Sequence, residues 1–385
     1  MKVGGAWLEN KNTQAVMALL SDAGYQALAV GGCVRNTLLG EPVVDVDIAT
    51  DALPETVTNL AENAGLRAVP TGIAHGTVTV VAGGEGFEVT SFRHDEEGYG
   101  RHARVAFGAD LFQDAQRRDF TMNALYARAD GTVVDPLGGL QDLRARRLRF
   151  VGEAQARITE DYLRILRFFR FHAQYGDPAQ GLDAEALAAC AAHSGMLEAL
   201  SAERITSELR KLLAASDPAP AVAAMAQSGV LNHILMGAQV QALPILVHFE
   251  DGRAGGWLRR LAVLGGAAPE ARLRMTKAEI RHFSHVRDAL GTLTPAAALG
   301  YLHGAEIAED IILARAALFE TPPPEDWQHE IARGVAAVFP LKPKDLMPAL
   351  TGPALGSALK AAQAQWIAQD FAPDGAALIA WLDKG

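Results

Sequence analysis

The feature that most constrains this 385-residue chain is a change of character near residue 150. Before it, short runs rich in β-branched residues alternate with stretches of helical spacing. After it, alanine becomes frequent, the β-branched runs fade and helix formers dominate. This order predicts an α+β chain: a head with a mixed sheet, followed by an all-helical neck, body and tail. The length suits two or three domains with ample core. Apolar residues make up 49% and charged residues 21%, which excludes a disordered, collagenous or coiled-coil protein. No apolar run reaches ~18 residues without a charge, so no membrane span is expected. Residues 1–12 lack the basic-then-apolar layout of a signal peptide. The two cysteines, Cys33 and Cys190, are too few for a disulfide framework or a cysteine-based zinc site. A cytoplasmic setting is the expectation.

Within the head, residues 13–23 have helical spacing, and 26–30 read as a strand running into Gly31-Gly32. A helix follows over 33–39, then a β-branched strand over 43–49. Residues 54–63 form a helix with proline in its first turn. Strands at 77–81 and 87–91 flank an AGGEG turn. Residues 94–109 read as a mobile loop, 113–127 as helical or mixed, and 132–134 as a last short strand. Beyond 150, residues 252–256 and 322–324 are the best breaks.

The net charge of −10 argues against a nucleic-acid binder, because phosphate contacts need local positive charge. Residues 142–170 nevertheless hold eight arginines against Asp142, Glu153, Glu160 and Asp161, a net of +4. That stretch reads as a basic face or as a solvated helix surface.

Asp45 and Asp47 are the sharpest local feature. In a strand, residues two apart share a face, and two carboxylates on one face repel unless a cation lies between them. Hard ions such as Mg²⁺ take oxygen ligands, and two of them can flank the attacking and leaving oxygens of a phosphoryl transfer. Glu88, in the alternating FEVTSF, can complete the set. Alone, Asp-x-Asp reads as well as a solvent-facing edge strand. Upstream, Gly31-Gly32 leads into a helix, where free N–H groups and the dipole favour phosphate. Arg35 lies one turn inside, in reach of a phosphate oxygen.

The segment GGCVRNTLLGEPVVDVDIAT, residues 31–50, resembles the signature of class II tRNA nucleotidyltransferases. These are the CCA-adding enzymes and related bacterial poly(A) polymerases of the DNA polymerase beta-like superfamily. RRDFTMNAL (117–125), DPLGGLQDL (135–143), EDYLRILRFFR (160–170) and SAERITSELRKLL (201–213) resemble further motifs of that family, in order. The match covers roughly residues 25–215; beyond it there is no specific signature.

The resemblance implies a head over 1–140, a neck reading the nucleotide base over 141–215, and a body and tail binding tRNA over 216–385. It implies CTP, ATP and the tRNA 3′ end as partners. Asp45 and Asp47 would hold two Mg²⁺ ions, with Glu88 as third carboxylate. Gly32 and Arg35 would meet the triphosphate, and Arg118 and Asp119 would sit beside the nucleotide, with Asp119 suited to a ribose hydroxyl. Asp161 and Arg164, at i and i+3 on one helix face, would read the base edge, with Arg167 and Arg170 facing phosphates or the tRNA end. Residues 93–105 match the family's flexible loop, with Arg101 and His102 in pattern and Gly98-Tyr99-Gly100 out of it. A basic helical patch at 272–287, with Arg272, Arg274, Lys277, Arg281 and Arg287, can grip tRNA phosphates or be an ordinary exposed helix. The alternatives are a poly(A) polymerase of the same family, a silent RNA-binding protein and a small-molecule nucleotidyltransferase. His94-Asp95 has no second His-Asp pair in the helical part, against an HD phosphohydrolase domain.

Overall fold

Strands are confined to the N-terminal part of the chain in the computed structural model, which describes residues 1–95, 105–253 and 255–383. They are β1 Leu28–Val30, β2 Asp47–Thr50, β3 Arg67–Gly72, β4 Thr77–Ala82, β5 Glu85–Ser91, β6 Arg93–Asp95, β7 Val105–Phe107, β8 Tyr126–Ala127 and β9 Val133–Val134. Seven form one mixed sheet in the order β3-β4-β5-β2-β1-β8-β9, and β6 and β7 pair separately. Among the described strands, β2 and β5 pair in parallel and the other pairs are antiparallel.

Around the sheet lie α1 Ala6–Glu9, α2 Lys11–Ser21, α3 Gly32–Leu39, α4 Pro54–Asn63 and α5 Leu111–Gln116. Then come α6 Gly139–Arg144, α7 Ala154–Glu160, α8 Leu163–Tyr175, α9 Ala184–Ala192, α10 Ala202–Leu213 and α11 Ala219–Gln227. The rest is helical: α12 Ala242–Glu250, α13 Trp257–Leu264, α14 Pro269–Arg272, α15 Lys277–Ala289, α16 Ala296–His303, α17 Ala305–Leu318, α18 Trp327–Ala336, α19 Pro343–Leu346, α20 Gly352–Ala368 and α21 Gly375–Leu382. The chain divides into two units, Met1–Met236 and Gly237–Gly385. Among the described residues, no helix is long and apolar enough to cross a membrane.

The α+β head followed by helices is the architecture expected, with three local departures. β2 starts at Asp47, so Asp45 lies just before the strand rather than within it. β3 was not anticipated. The segment read as a loop begins and ends in the β6–β7 ladder, and residues 96–104, with Arg101 and His102, lie outside the described residues.

Two features join the sheet to the helices that follow within the first unit. Phe120 and Phe150 have ring centroids 4.9 Å apart, and Phe168 and Phe171 of α8 pack on them at 5.6 Å from Phe150 and 5.2 Å from Phe120. The DPLGG segment folds against the same place. Asp135 accepts hydrogen bonds from the amides of Gly139 and Leu140, at 2.8 and 3.0 Å. A Cβ on Gly139 would lie 2.2 Å from the Thr121 carbonyl oxygen, so only glycine permits that approach.

Candidate active site

The sheet puts the candidate residues in a row. Val30, the last residue of β1, is the register partner of Asp47 on one side and of Tyr126 on the other. Asp47 is in turn the partner of Glu88 in the parallel β2–β5 pair. Register partners on neighbouring strands share a face, so Tyr126, Val30, Asp47 and Glu88 stand side by side. Directly after Val30, Gly31 takes φ 71°, a left-handed conformation that suits glycine, and starts α3. The first amides of α3 therefore open beside Asp47.

The carboxyl of Asp47 is raised to about 6. Partial burial is the largest cause, the negative charges of Glu88 and Asp45 add to it, and Arg118 opposes it. Among the described residues, no three His, Cys, Asp or Glu side chains already stand close enough to enclose a metal ion. In chemistry the donor set fits a hard cation: it is all carboxylate oxygen, and the repulsion around Asp47 is what a cation offsets. Cys33, inside the first turn of α3, is buried and its thiol is pushed up to about 12, mainly by burial and then by Asp47. It stays protonated and serves as packing.

Arg118 reaches this corner from the segment after α5. Its Nε donates to Tyr126 Oη at 3.0 Å and its Nη2 to Asp114 Oδ2 at 3.1 Å. Its Nη1 lies 3.7 Å from where a Cβ on Gly31 would be.

Arg35 departs from the expectation of an open phosphate contact. It is only 7% exposed, with its guanidinium stacked on Tyr175 and Phe171 of α8 at 4.2 and 5.1 Å from the ring centroids. Its nitrogens donate to Asn123 Oδ1 at 2.5 Å, to Tyr175 Oη at 2.9 Å and to Asn36 Oδ1. Aromatic faces and side-chain oxygens draw it inward. Asp119 is buried too. It accepts from the Phe120 amide, from Asn123 Nδ2 and from Arg167 Nε at 2.7 Å.

The pair Asp161 and Arg164 also differs from the expected geometry. The two do not share a helix: α7 ends at Glu160, Asp161 is extended at φ −153°, and α8 starts at Leu163. The cause is local. Asp161 Oδ1 accepts from the Leu163 amide, a short side-chain-to-backbone turn that competes with helix. Its Oδ2 accepts from Arg204 of α10 at 2.6 Å. Arg164 donates to Glu160 Oε2 at 2.5 Å and to the carbonyls of Arg157 and Arg117. Arg170, expected to face phosphates or the tRNA end, is 7% exposed and donates to Glu208 Oε2 at 2.5 Å.

Sequence reasoning missed Asn123, Tyr126, Asp114, Tyr175, Arg204 and Glu208. Asp114 and Asn123 carried a local signal, their four-residue spacings to Arg118 and Asp119. Tyr126 meets Arg118 and Asp114 eight and twelve residues away, and Tyr175, Arg204 and Glu208 find partners far off in sequence, as Arg204 does with Asp161, 43 residues away.

Comparison with known proteins follows the same ground. The family model of the poly A polymerase head domain matches residues 27–149. A second, the probable RNA and SrmB-binding site of polymerase A, matches residues 181–240. The chain is 36% identical over 348 residues to a CCA-adding enzyme of Geobacillus thermodenitrificans, covering 86% of this chain and 83% of that protein. It is 40% identical over 207 residues to human mitochondrial CCA tRNA nucleotidyltransferase 1, covering 54% of this chain and 48% of that protein. Among solved structures, the CCA-adding enzyme of Bacillus stearothermophilus in complex with CTP superposes with a TM-score of 0.79 at 29% identity, over 97% of this chain and 96% of that one. The Thermotoga maritima CCA-adding enzyme complexed with tRNA shares the fold, with a TM-score of 0.68 at 18% identity, over 97% and 94% of the two chains.

Proposed function

This chain belongs to the family of CCA-adding enzymes, and we propose that it adds CMP, CMP and AMP in turn to the 3′ end of tRNA. CTP and ATP are the donors, pyrophosphate is released, and no nucleic-acid template is used. The observation that carries the reading is the carboxylate pair Asp47 and Glu88, set beside the glycine turn that opens α3. The poly(A) polymerase alternative shares the head. The similarity to a CCA-adding enzyme along most of both chains favours CCA addition.

Nucleotidyltransferases of this kind generally use a divalent metal. Here Asp45, Asp47 and Glu88 would hold two Mg²⁺ ions, which supply charge neutralisation at the attacking and leaving oxygens. The amides after Gly31 and the Arg118 guanidinium receive the triphosphate. The tRNA 3′-hydroxyl oxygen attacks the α-phosphorus; the bond from that phosphorus to the bridging oxygen breaks and pyrophosphate departs. Base choice falls to Asp161 as acceptor and Arg164 as donor. Cytosine and adenine both set an amino donor beside a ring-nitrogen acceptor, whereas guanine and uracil present the reverse. Since Asp161 is held by Arg204 and Arg164 by Glu160, an incoming base exchanges some of these bonds for its own. Arg35, Arg167 and Arg170 act mainly as braces around the nucleotide, and Asp119 orients Arg167. Residues 1–140 serve as catalytic head, 141–215 as base-reading neck and 216–385 as the tRNA-binding part, in a cytoplasmic enzyme. Lys277 and Arg281, both exposed, suit tRNA phosphates.

The test is Asp47→Ala. It removes a charge that the free fold does not need, so the variant keeps the wild-type circular dichroism and melting temperature while nucleotide addition falls by at least about 10³-fold. Retained addition by the pure variant would refute the carboxylate assignment.

A further inference from the structure

We propose that Tyr126 and Asp114 are positioning residues that aim the Arg118 guanidinium at the triphosphate corner between Gly31 and Asp47. The inference rests on the nucleotide-adding reading of that corner. It starts from a closed ring of hydrogen bonds. Arg118 Nε donates to Tyr126 Oη at 3.0 Å, Tyr126 Oη donates to Asp114 Oδ2 at 2.7 Å, and Arg118 Nη2 donates to that same oxygen at 3.1 Å. The guanidinium carbon also lies 5.1 Å from the centroid of the Tyr126 ring. Tyr126 is 0% exposed and Asp114 1%, so neither can trade these bonds for water.

An unrestrained arginine samples many rotamers and loses that freedom when it binds an anion. Here two of the three guanidinium nitrogens are fixed in advance. The third, Nη1, has no hydrogen-bond partner among the described residues and stands beside the Gly31 turn. The sheet explains why the ring sits there. Tyr126 is paired across from Val30, the residue that leads into Gly31, so the side chain that grips Arg118 and the turn that would receive phosphate are set by one strand pair.

Asp114 separates two neighbouring arginines. Its Oδ1 takes Arg117 at 2.7 Å, and the Arg117 carbonyl accepts from Arg164, while its Oδ2 takes Arg118. Arg117 is thereby tied toward the neck and Arg118 toward the sheet. A purely structural fastener would need no such division, nor leave one donor open at the site.

Tyr126→Phe keeps the buried ring and removes only the hydroxyl. Initial rates would be measured for CMP addition to tRNA lacking CCA and for AMP addition to tRNA ending in CC. Binding of CTP and of inorganic tripolyphosphate would be followed by calorimetry. We expect kcat/KM to fall roughly tenfold, by the same factor for CTP and ATP, and tripolyphosphate binding to weaken to a similar degree. The preference for C and A over G and U stays unchanged. Added to Arg118→Ala, Tyr126→Phe costs no more than about twofold further, because its effect passes through Arg118. Asp114→Asn gives the same pattern as an independent variant. Unchanged kcat/KM and unchanged tripolyphosphate binding would overturn the proposal, as would an undiminished loss in the Arg118→Ala background. If the wild-type protein adds no nucleotide but its tripolyphosphate binding still depends on Tyr126, the nucleotide-adding reading fails and the positioning role stands.

Discussion

Asp119 shows how single residues differ from their reading in sequence. As an acceptor in RRDFT it suited a ribose hydroxyl, yet its oxygens are taken by the Phe120 amide, Asn123 and Arg167. The partner that matters most, Arg167, lies 48 residues away, which no local spacing could indicate. Burial alone would raise the Asp119 carboxyl; the Arg167 charge and the hydrogen bonds from Asn123 and Arg167 outweigh it and hold the group at about 2. The folded value lies below the unfolded one of about 3.9, so the stabilisation is complete above pH ~4 and is lost as pH falls through about 2. Asp119→Asn is therefore expected to cost roughly 2 kcal/mol at pH 7, with the gap to wild type narrowing below pH ~4. Urea unfolding across that range checks it; a constant gap would contradict the assignment. Asp161 and Arg164 teach the same lesson in another form. Their three-residue spacing was legible, but the hydrogen bond from the Leu163 amide to Asp161 that breaks the helix was not.

Elements were legible where periodicity and end signals agreed. The helix over 54–63 has the expected bounds because Pro54 fits its first turn and Val57 and Ala61 face the core four residues apart. β4 and β5 were visible as alternating runs about a glycine turn. β3 was not: it is an edge strand with Pro70 in it and little burial, so it lacks the alternation that marks a half-buried strand. In the second unit α16 and α18 touch backbone to backbone. A Cβ on Gly334 would lie 1.8 Å from the Ala297 oxygen, and one on Gly300 2.3 Å from the Ile331 oxygen. Nothing in a run of alanine and glycine declares which glycines make such a contact. Gly334→Ala must push the helices apart and is expected to cost about 3 kcal/mol or more, lowering the thermal transition of residues 237–385 in scanning calorimetry. An unchanged transition would show that the helices are not so close.

Across the whole molecule, the distribution of charge matters more than its sum. Of the eight arginines at 142–170, Arg144, Arg146, Arg147 and Arg149 are exposed and Arg170 is buried, yet six of the eight are tied up in ion pairs. Arg147 and Arg149 meet buried Asp142, Arg157 and Arg164 meet Glu160, Arg167 meets Asp119 and Arg170 meets Glu208. The stretch that read as a basic face or a solvated helix surface carries mainly ion pairs, several of them with carboxylates of the head and neck. The second unit holds its own buried set, with Arg259 and Arg260 on Glu250, and Arg259 and His282 on Asp310. Such pairs contribute positioning more than net stability, because desolvation offsets much of their attraction. The order of head and helices and the nucleotidyltransferase motifs could be read from the sequence. The bracing of the site by α8 and α10 could not, because it depends on contacts that only folding creates. The measurement that tests the central claim most directly uses tRNA transcripts ending before CCA, after C and after CC. Each is incubated with the purified protein, Mg²⁺ and CTP and ATP, and product length is read on a sequencing gel. Completion of CCA from every start, followed by arrest, is the expected result. A long A tail, or no extension by a folded protein that binds tRNA, would contradict it.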